Sequence, residues 1–417
     1  MPYLFIMAML QYFPWLHIDH TKGAKVLKES PASYRSMELG TDVAPNMTLL
    51  VGRKAKSAML RHLLPDIHRD CFADPHGQAF LWRDAENEGH IFIDFELHNY
   101  DKATLAMSNR LDAVTTRTVD WLTLSGRSHT RREFGTLLSG RALAPMCQVL
   151  CYFASDLGGL RGVATLLAAQ ILPQPASDLP RRCLPRVLIV VDTAARAFDP
   201  PAVRSATVDA IDQILREREN KGVGEADRDA TRDATGDATG DAIESRIQGH
   251  FYDIHVIGLP RSIPPVERAV QLRARLSILS RENIAARKAH GICLQRDHFF
   301  AMVGGLLDHF LISWTEPFSF VKASRPADFT LDELPFHLKE IISLLPAQVW
   351  LNYLVCPLLA SAIRLANYPP GSHRKRHVPQ CIACDAADVY SFPREHHLRT
   401  TLSPYLPASV WGGNRAG

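Results

Sequence analysis

The residues best placed for chemistry begin at Leu49-Leu50-Val51-Gly52-Arg53-Lys54-Ala55-Lys56-Ser57, an apolar run leading through a glycine into a Lys-Ser pair. A strand that turns into a helix at such a pair offers backbone amides and an ammonium to a phosphate, with the hydroxyl set for magnesium. The spacing is short of a full phosphate loop: three residues separate Gly52 from Lys56, and Ala55 stands where a second glycine belongs. A side chain there disfavours the backbone angles that aim successive amides at one anion. The next segment, Ile91-Phe92-Ile93-Asp94-Phe95-Glu96-Leu97, is an apolar strand ending in an acid. Phosphate-loop proteins hold magnesium from that position. A GTPase uses glycine three residues later, and this chain has Leu97. The order is that of a nucleotide-binding G domain. It would put Gly52 and Lys56 on the phosphates, Ser57 and Asp94 around magnesium and Glu96 on the attacking water, with GTP or ATP as ligand. The competing expectation is a strand edge with a capped turn and no ligand.

Two further segments carry reactive types. Ser155-Asp156-Leu157-Gly158-Gly159-Leu160-Arg161-Gly162 follows an apolar run and has the form of an oxyanion turn. Ester cleavage would also need a Gly-x-Ser-x-Gly nucleophile elbow and an Asp-Gly partner. Ser139 lacks the leading glycine, and Val190-Val191-Asp192-Thr193-Ala194 has neither serine nor glycine. The turn then reads as a helix start capped by Ser155 or Asp156, with glycines allowing close packing on a sheet. Cys381-Ile382-Ala383-Cys384 and His396-His397 supply zinc ligand types. Adjacent histidines diverge, which leaves Cys381 and Cys384 as half a site.

Positioning these residues requires strands that alternate with helices. Apolar, β-branched runs predict strands at Met47–Val51, Gln78–Trp82, His90–Phe95, Met146–Ala154, Arg186–Val191 and Tyr252–Gly258. Helical patterns follow at Ala58–Leu64, Leu160–Leu172 and Val203–Glu219. Runs such as Val187-Leu188-Ile189-Val190-Val191 are apolar on both faces, as strands between two helical layers must be. The expected fold class is therefore α/β, a mostly parallel, P-loop-NTPase-like sheet with helices on both faces. It should span residues 46–259, after a poorly structured segment at 1–45. The repeat Asp229-Ala230-Thr231-Arg232, Asp233-Ala234-Thr235-Gly236, Asp237-Ala238-Thr239-Gly240 is too small and polar for a core, and predicts a disordered insertion at about 221–243. Val266–Ala289, Arg296–Trp314, Leu331–Leu344 and Ala347–Ala366 predict a helical subdomain over 260–370. An irregular tail, basic at Arg374-Lys375-Arg376, follows at 371–417.

Composition sets the limits. With 417 residues, 46% of them hydrophobic and 22% charged, the chain is an ordinary globular sequence, which excludes coiled-coil, collagenous and wholly disordered classes. A formal charge of +3 gives no reason to expect nucleic acid or an anionic membrane as partner. The 8 cysteines are scattered, several within apolar runs, and point to a reducing, cytoplasmic setting. Met1–Ile18 lacks a basic start and a small-residue cleavage site and is broken by Pro14, so a leader is not expected. No stretch approaches a transmembrane span.

Several phrases, in order, carry a family likeness: Leu50-Val51-Gly52-Arg53-Lys54-Ala55-Lys56, Phe153-Ala154-Ser155-Asp156-Leu157-Gly158-Gly159-Leu160, Leu184-Pro185-Arg186-Val187-Leu188-Ile189-Val190-Val191, Glu316-Pro317-Phe318-Ser319-Phe320-Val321-Lys322-Ala323-Ser324-Arg325 and Asn367-Tyr368-Pro369-Pro370-Gly371. Together they resemble the long N-terminal region of fungal patatin-like phospholipases. The resemblance implies a P-loop-like region and a helical region ahead of a cysteine-containing linker, which Cys381 and Cys384 resemble, and a serine–aspartate lipase domain beyond it. None of the phrases is catalytic. The expectation is a non-catalytic accessory or regulatory module of lipid metabolism, with a patatin-type lipase domain as partner in cis or trans. The alternatives are a weak GTP- or ATP-binding protein and a ligand-free interaction scaffold.

Overall fold

The computed structural model of the chain describes residues 15–19, 26–30, 44–64, 78–84, 87, 89–97, 115–119, 131–172, 177, 179–194, 198–222, 240–290, 292–313 and 315–323. The chain divides into units 1–329 and 330–417, and every described residue lies in the first. The helices expected at Leu331–Leu344 and Ala347–Ala366, and Cys381 and Cys384, lie outside the described residues.

The sheet has nine strands: β1 (Leu16–Asp19), β2 (Val26–Glu29), β3 (Asn46–Val51), β4 (Gln78–Arg83), β5 (His90–Phe95), β6 (Thr115–Thr118), β7 (Val149–Phe153), β8 (Arg186–Thr193) and β9 (Ile254–Pro260). Their order is β6-β2-β1-β4-β5-β3-β7-β8-β9. The strands β5, β3, β7, β8 and β9 run parallel, while β4 is antiparallel to β5 and the β1, β2 and β6 pairings are antiparallel. The α/β class is thus present, with a mixed sheet. Residues 1–45 differ from expectation: β1 and β2 come from them, and Trp15, Leu16 and Leu27 are buried in the core. Short four-residue strands carry too little periodic signal to be read in isolation. The insertion is bounded by helix: α4 (Pro200–Gly222) extends into its start and α5 (Gly240–Gln248) begins before its end. Residues 223–239, with most of the repeat, lie outside the described residues.

Strand alternation sorts side chains between two cores. Met47, Leu49, Val51, Ile91, Ile93, Leu150, Tyr152, Val187 and Ile189 face one side. There they meet α3 (Gly159–Ile171), α4 and α7 (Arg296–Ile312) through Val163, Leu167, Ile211, Leu215, Val303 and Leu307. Leu50, Phe92, Val149, Cys151, Phe153, Leu188 and Val190 face the other, under α1 (Lys54–Leu63) and α6 (Pro265–Ala289). Helix α6 therefore completes the α/β layer, and the boundary expected at 259/260 does not separate it from the sheet. No helix among the described residues is long and apolar enough to cross a membrane.

The buried stripe of α6 changes character along its length. Ala269, Leu272, Leu276 and Leu279 are apolar, and Ser280, Asn283 and Arg287 follow. The polar end lies over the starts of the strands, where carbonyls need donors. Asn46 Nδ2 donates to Ser280 Oγ, Asn283 Nδ2 to the Leu184 carbonyl at 2.7 Å, and the Arg287 guanidinium to the carbonyls of Pro145, Met146, Cys147 and Cys183 at 2.9–3.3 Å.

His250, just past α5, is pushed down to about 4 by burial and then by the positive charges of Arg141 and Arg246. The folded chain thus resists a proton that the unfolded chain accepts near pH 6.5. This contribution to stability is complete above about pH 6.5, falls as pH drops towards 4, and totals about 3 kcal/mol at most. Urea unfolding at a series of pH values between 5 and 7 should show a shallower loss of stability on acidification in His250→Gln than in the native chain; equal slopes would contradict this assignment.

Candidate functional site

The corner where β3 enters α1 contains the residues that the sequence singled out. Parallel pairing sets Val51 beside Phe95 on one side and Tyr152 on the other, so the ends of β5 and β7 flank Gly52. Gly52 is needed for space. A Cβ there would lie 2.8 Å from Asp156 Oδ2, 3.0 Å from Phe153 Cβ and 3.1 Å from Lys56 Cβ.

Helix α1 has no acidic residue in its first turn and no cap from the Arg53 side chain. Its free amides are served from a distant part of the chain. Asp156 Oδ2 accepts from the amides of Arg53 at 2.6 Å and Lys56 at 3.0 Å, and Oδ1 accepts from Ala55 at 3.0 Å. A carboxylate in this position meets both the unpaired donors and the positive end of the helix dipole. The sequence offers Ser155 or Asp156 as the cap of the helix that follows; Asp156 caps α1 instead, and Gly158 holds the cap position of α3 with no side-chain hydrogen bond.

The loop after β7 explains how Asp156 is delivered. Ala154–Asp156 forms a single 3₁₀ turn, then Gly158 and Gly159 adopt φ of 88° and 80°, left-handed values that side chains disfavour. Gly162 is equally constrained, because its Cβ would sit 1.8 Å from the Leu157 carbonyl oxygen. The Gly-Gly-x-Arg-Gly pattern is thereby accounted for by the turn that aims Asp156 and by the tight start of α3.

Lys56 is fully buried, with Nζ 2.5 Å from Asp94 Oδ1 and donating to the Phe95 carbonyl at 2.9 Å. Beside this pair, Arg53 Nε lies 3.1 Å from Glu96 Oε1, which is also buried. Gly52, Lys56, Asp94 and Glu96 therefore come together as the sequence suggested. Ser57 is adjacent, half-buried, with its amide donating to the Arg53 carbonyl at 2.9 Å. Sequence reasoning missed the partners: Asp156 stands about a hundred residues from the amides it binds, and Arg53 gave no sign that it would bind Glu96. The only available signal was the adjacency of β7 to β3.

Chemically, the corner's cations and helix-start amides already have partners. Its ammonium and guanidinium each face a carboxylate, and a third carboxylate occupies the amides. A phosphate would have to displace Asp156 to reach the amides and draw Lys56 from Asp94. Among the described residues, no group of three or more histidine, cysteine, aspartate or glutamate side chains is arranged to hold a metal.

Two outcomes follow. Asp156→Ala should lower stability by about 2–3 kcal/mol, and Asp156→Asn by less, since its amide oxygen still accepts. Lys56→Met alone leaves Asp94 as an uncompensated buried charge and should cost about 3–5 kcal/mol, whereas Lys56→Met with Asp94→Leu should recover most of that loss. Chemical denaturation of the full chain measures both, and strictly additive effects of Lys56 and Asp94 would refute the pairing. No protein-family model and no curated protein matches the chain.

Proposed function

We propose that this chain is a non-catalytic accessory or regulatory module in which a phosphate-loop-like corner serves as an internal joint. Its setting is lipid hydrolysis, beside a patatin-type lipase domain in cis or trans, as the ordered phrases suggest. The observation that carries the reading is the Asp156 carboxylate on the amides of Arg53, Ala55 and Lys56, the place where a phosphate-binding helix start would take its ligand. Pairing of Lys56 with Asp94 supports it, because the cation that would meet a phosphate is already matched in a site closed to solvent.

A second reading has one observation in its favour. Lys56, in the first turn of α1, meets Asp94 near the end of the parallel strand beside β3, as magnesium–nucleotide binding requires, so GTP or ATP could exchange with Asp156. Calorimetric titration of the full chain with magnesium and each nucleotide separates the two. The accessory reading expects no saturable heat up to millimolar ligand. Saturable binding that Lys56→Ala weakens tenfold or more, about 1.4 kcal/mol, would overturn it in favour of the nucleotide. Hydrolysis of phospholipid or p-nitrophenyl esters by the full chain, abolished by one serine substitution, would overturn it in favour of a lipase.

A further inference from the structure

A buried cation without a carboxylate partner among the described residues lies away from the Lys56 corner. Residues Leu138–Leu143 continue α2 (Arg131–Leu137) as a π-helical turn, a form that clusters at functional sites. This turn brings Gly140 and Arg141 to the wall of a cavity of about 50 Å³, also lined by Gln170, Ser177, His250 and Phe318. The walls are closely drawn: a Cβ on Gly140 would fall 2.3 Å from Gln170 Cγ.

Arg141 is only 7% exposed. Its Nη2 donates to the Leu172 carbonyl at 2.6 Å, its buried Nε meets no acceptor, and it faces no carboxylate among the described residues. Burial lowers it to about 9, which still leaves it cationic at neutral pH. A buried charge with few partners is costly, and other buried cations among the described residues are better compensated. Lys56 has Asp94, Arg186 has Glu282, and Arg287 has four carbonyls.

The remaining polar groups of the cavity add donors. Ser177 Oγ accepts from the Leu179 amide at 3.2 Å, leaving its hydroxyl proton free to donate. His250 is neutral and has one N–H to offer. Gln170 is held by the Tyr152 hydroxyl at 2.9 Å. Among the described residues, no acidic side chain lines the cavity. At roughly 10–15 Å³ for each water-sized position, the space suits about four heavy atoms.

We propose that this cavity binds a small monocarboxylate, with the Arg141 guanidinium as its counter-ion and Ser177 and His250 as neutral donors. A carboxylate matches the planar fork of the guanidinium better than a spherical anion does.

The probes are sodium acetate and sodium chloride, titrated into the full chain at an ionic strength held constant with a bulky sulfonate buffer. Acetate should raise the unfolding midpoint saturably, with an apparent Kd of about 1–10 mM, and chloride should do so at least tenfold more weakly. Arg141→Gln should abolish the acetate effect. Should that variant fail to fold, NMR titration of His250 in the native chain gives an independent reading. At about pH 6, where acetate is ionised, the His250 ring resonances should shift saturably with acetate concentration as the anion settles beside Arg141. No saturable response to acetate in either measurement, or a response unchanged in a folded Arg141→Gln chain, would overturn the site. A chloride response equal to that of acetate would overturn the carboxylate assignment.

Discussion

The Asp156 carboxylate on the first amides of α1 is the contact on which the centre of the molecule depends. It ties the end of β7 to the start of the helix that follows β3, and so fixes two neighbouring parallel strands at the edge where their connections diverge. Hydrogen bonds along the strands hold their spacing. This carboxylate holds the helix to them, and Gly52 must lack a side chain for it to approach. The left-handed glycines after it are the backbone cost of aiming it. Around this joint each face of the sheet closes separately, α1 and α6 on one side and α3, α4 and α7 on the other.

The alternation of buried β-branched strands and amphipathic helices makes β3, β4, β5, β7, β8 and β9 readable, because it is written in local periodicity. Gly52, Lys56, Asp94 and Glu96 stand out in the sequence for the same reason, each lying close after or within a strongly patterned strand or in the helix start that follows one. What local pattern could not convey was partnership. Asp156 had been read as a cap for its own helix, and nothing in the residues around it indicates that the nearest unsatisfied amides belong to Arg53, Ala55 and Lys56. The strands β1, β2 and β6 do not show in the sequence because four residues give too few alternations. Helix α6 opens a run of helical patterns beyond Pro260 and so reads as part of a separate helical unit; its Ser280, Asn283 and Arg287 are buried over the strand starts.

The interior holds several cations in chemically distinct ways. Lys56 meets a carboxylate, and Arg287 distributes its charge over backbone carbonyls, which satisfies its donors without introducing an anion. Arg186 combines Glu282 with the ring of Tyr252, whose centroid is 4.5 Å from its guanidinium carbon. Against these solutions the single carbonyl bonded to Arg141 is sparse.

The Lys56–Asp94 pair also bears on how such a sequence can drift over generations. Either residue changed alone leaves its partner charged in an interior closed to water, so the route to an apolar replacement passes through a less stable chain. Selection for folding alone is then sufficient to retain the buried lysine and its aspartate together, so their persistence in a sequence says as much about the interior they share as about any ligand.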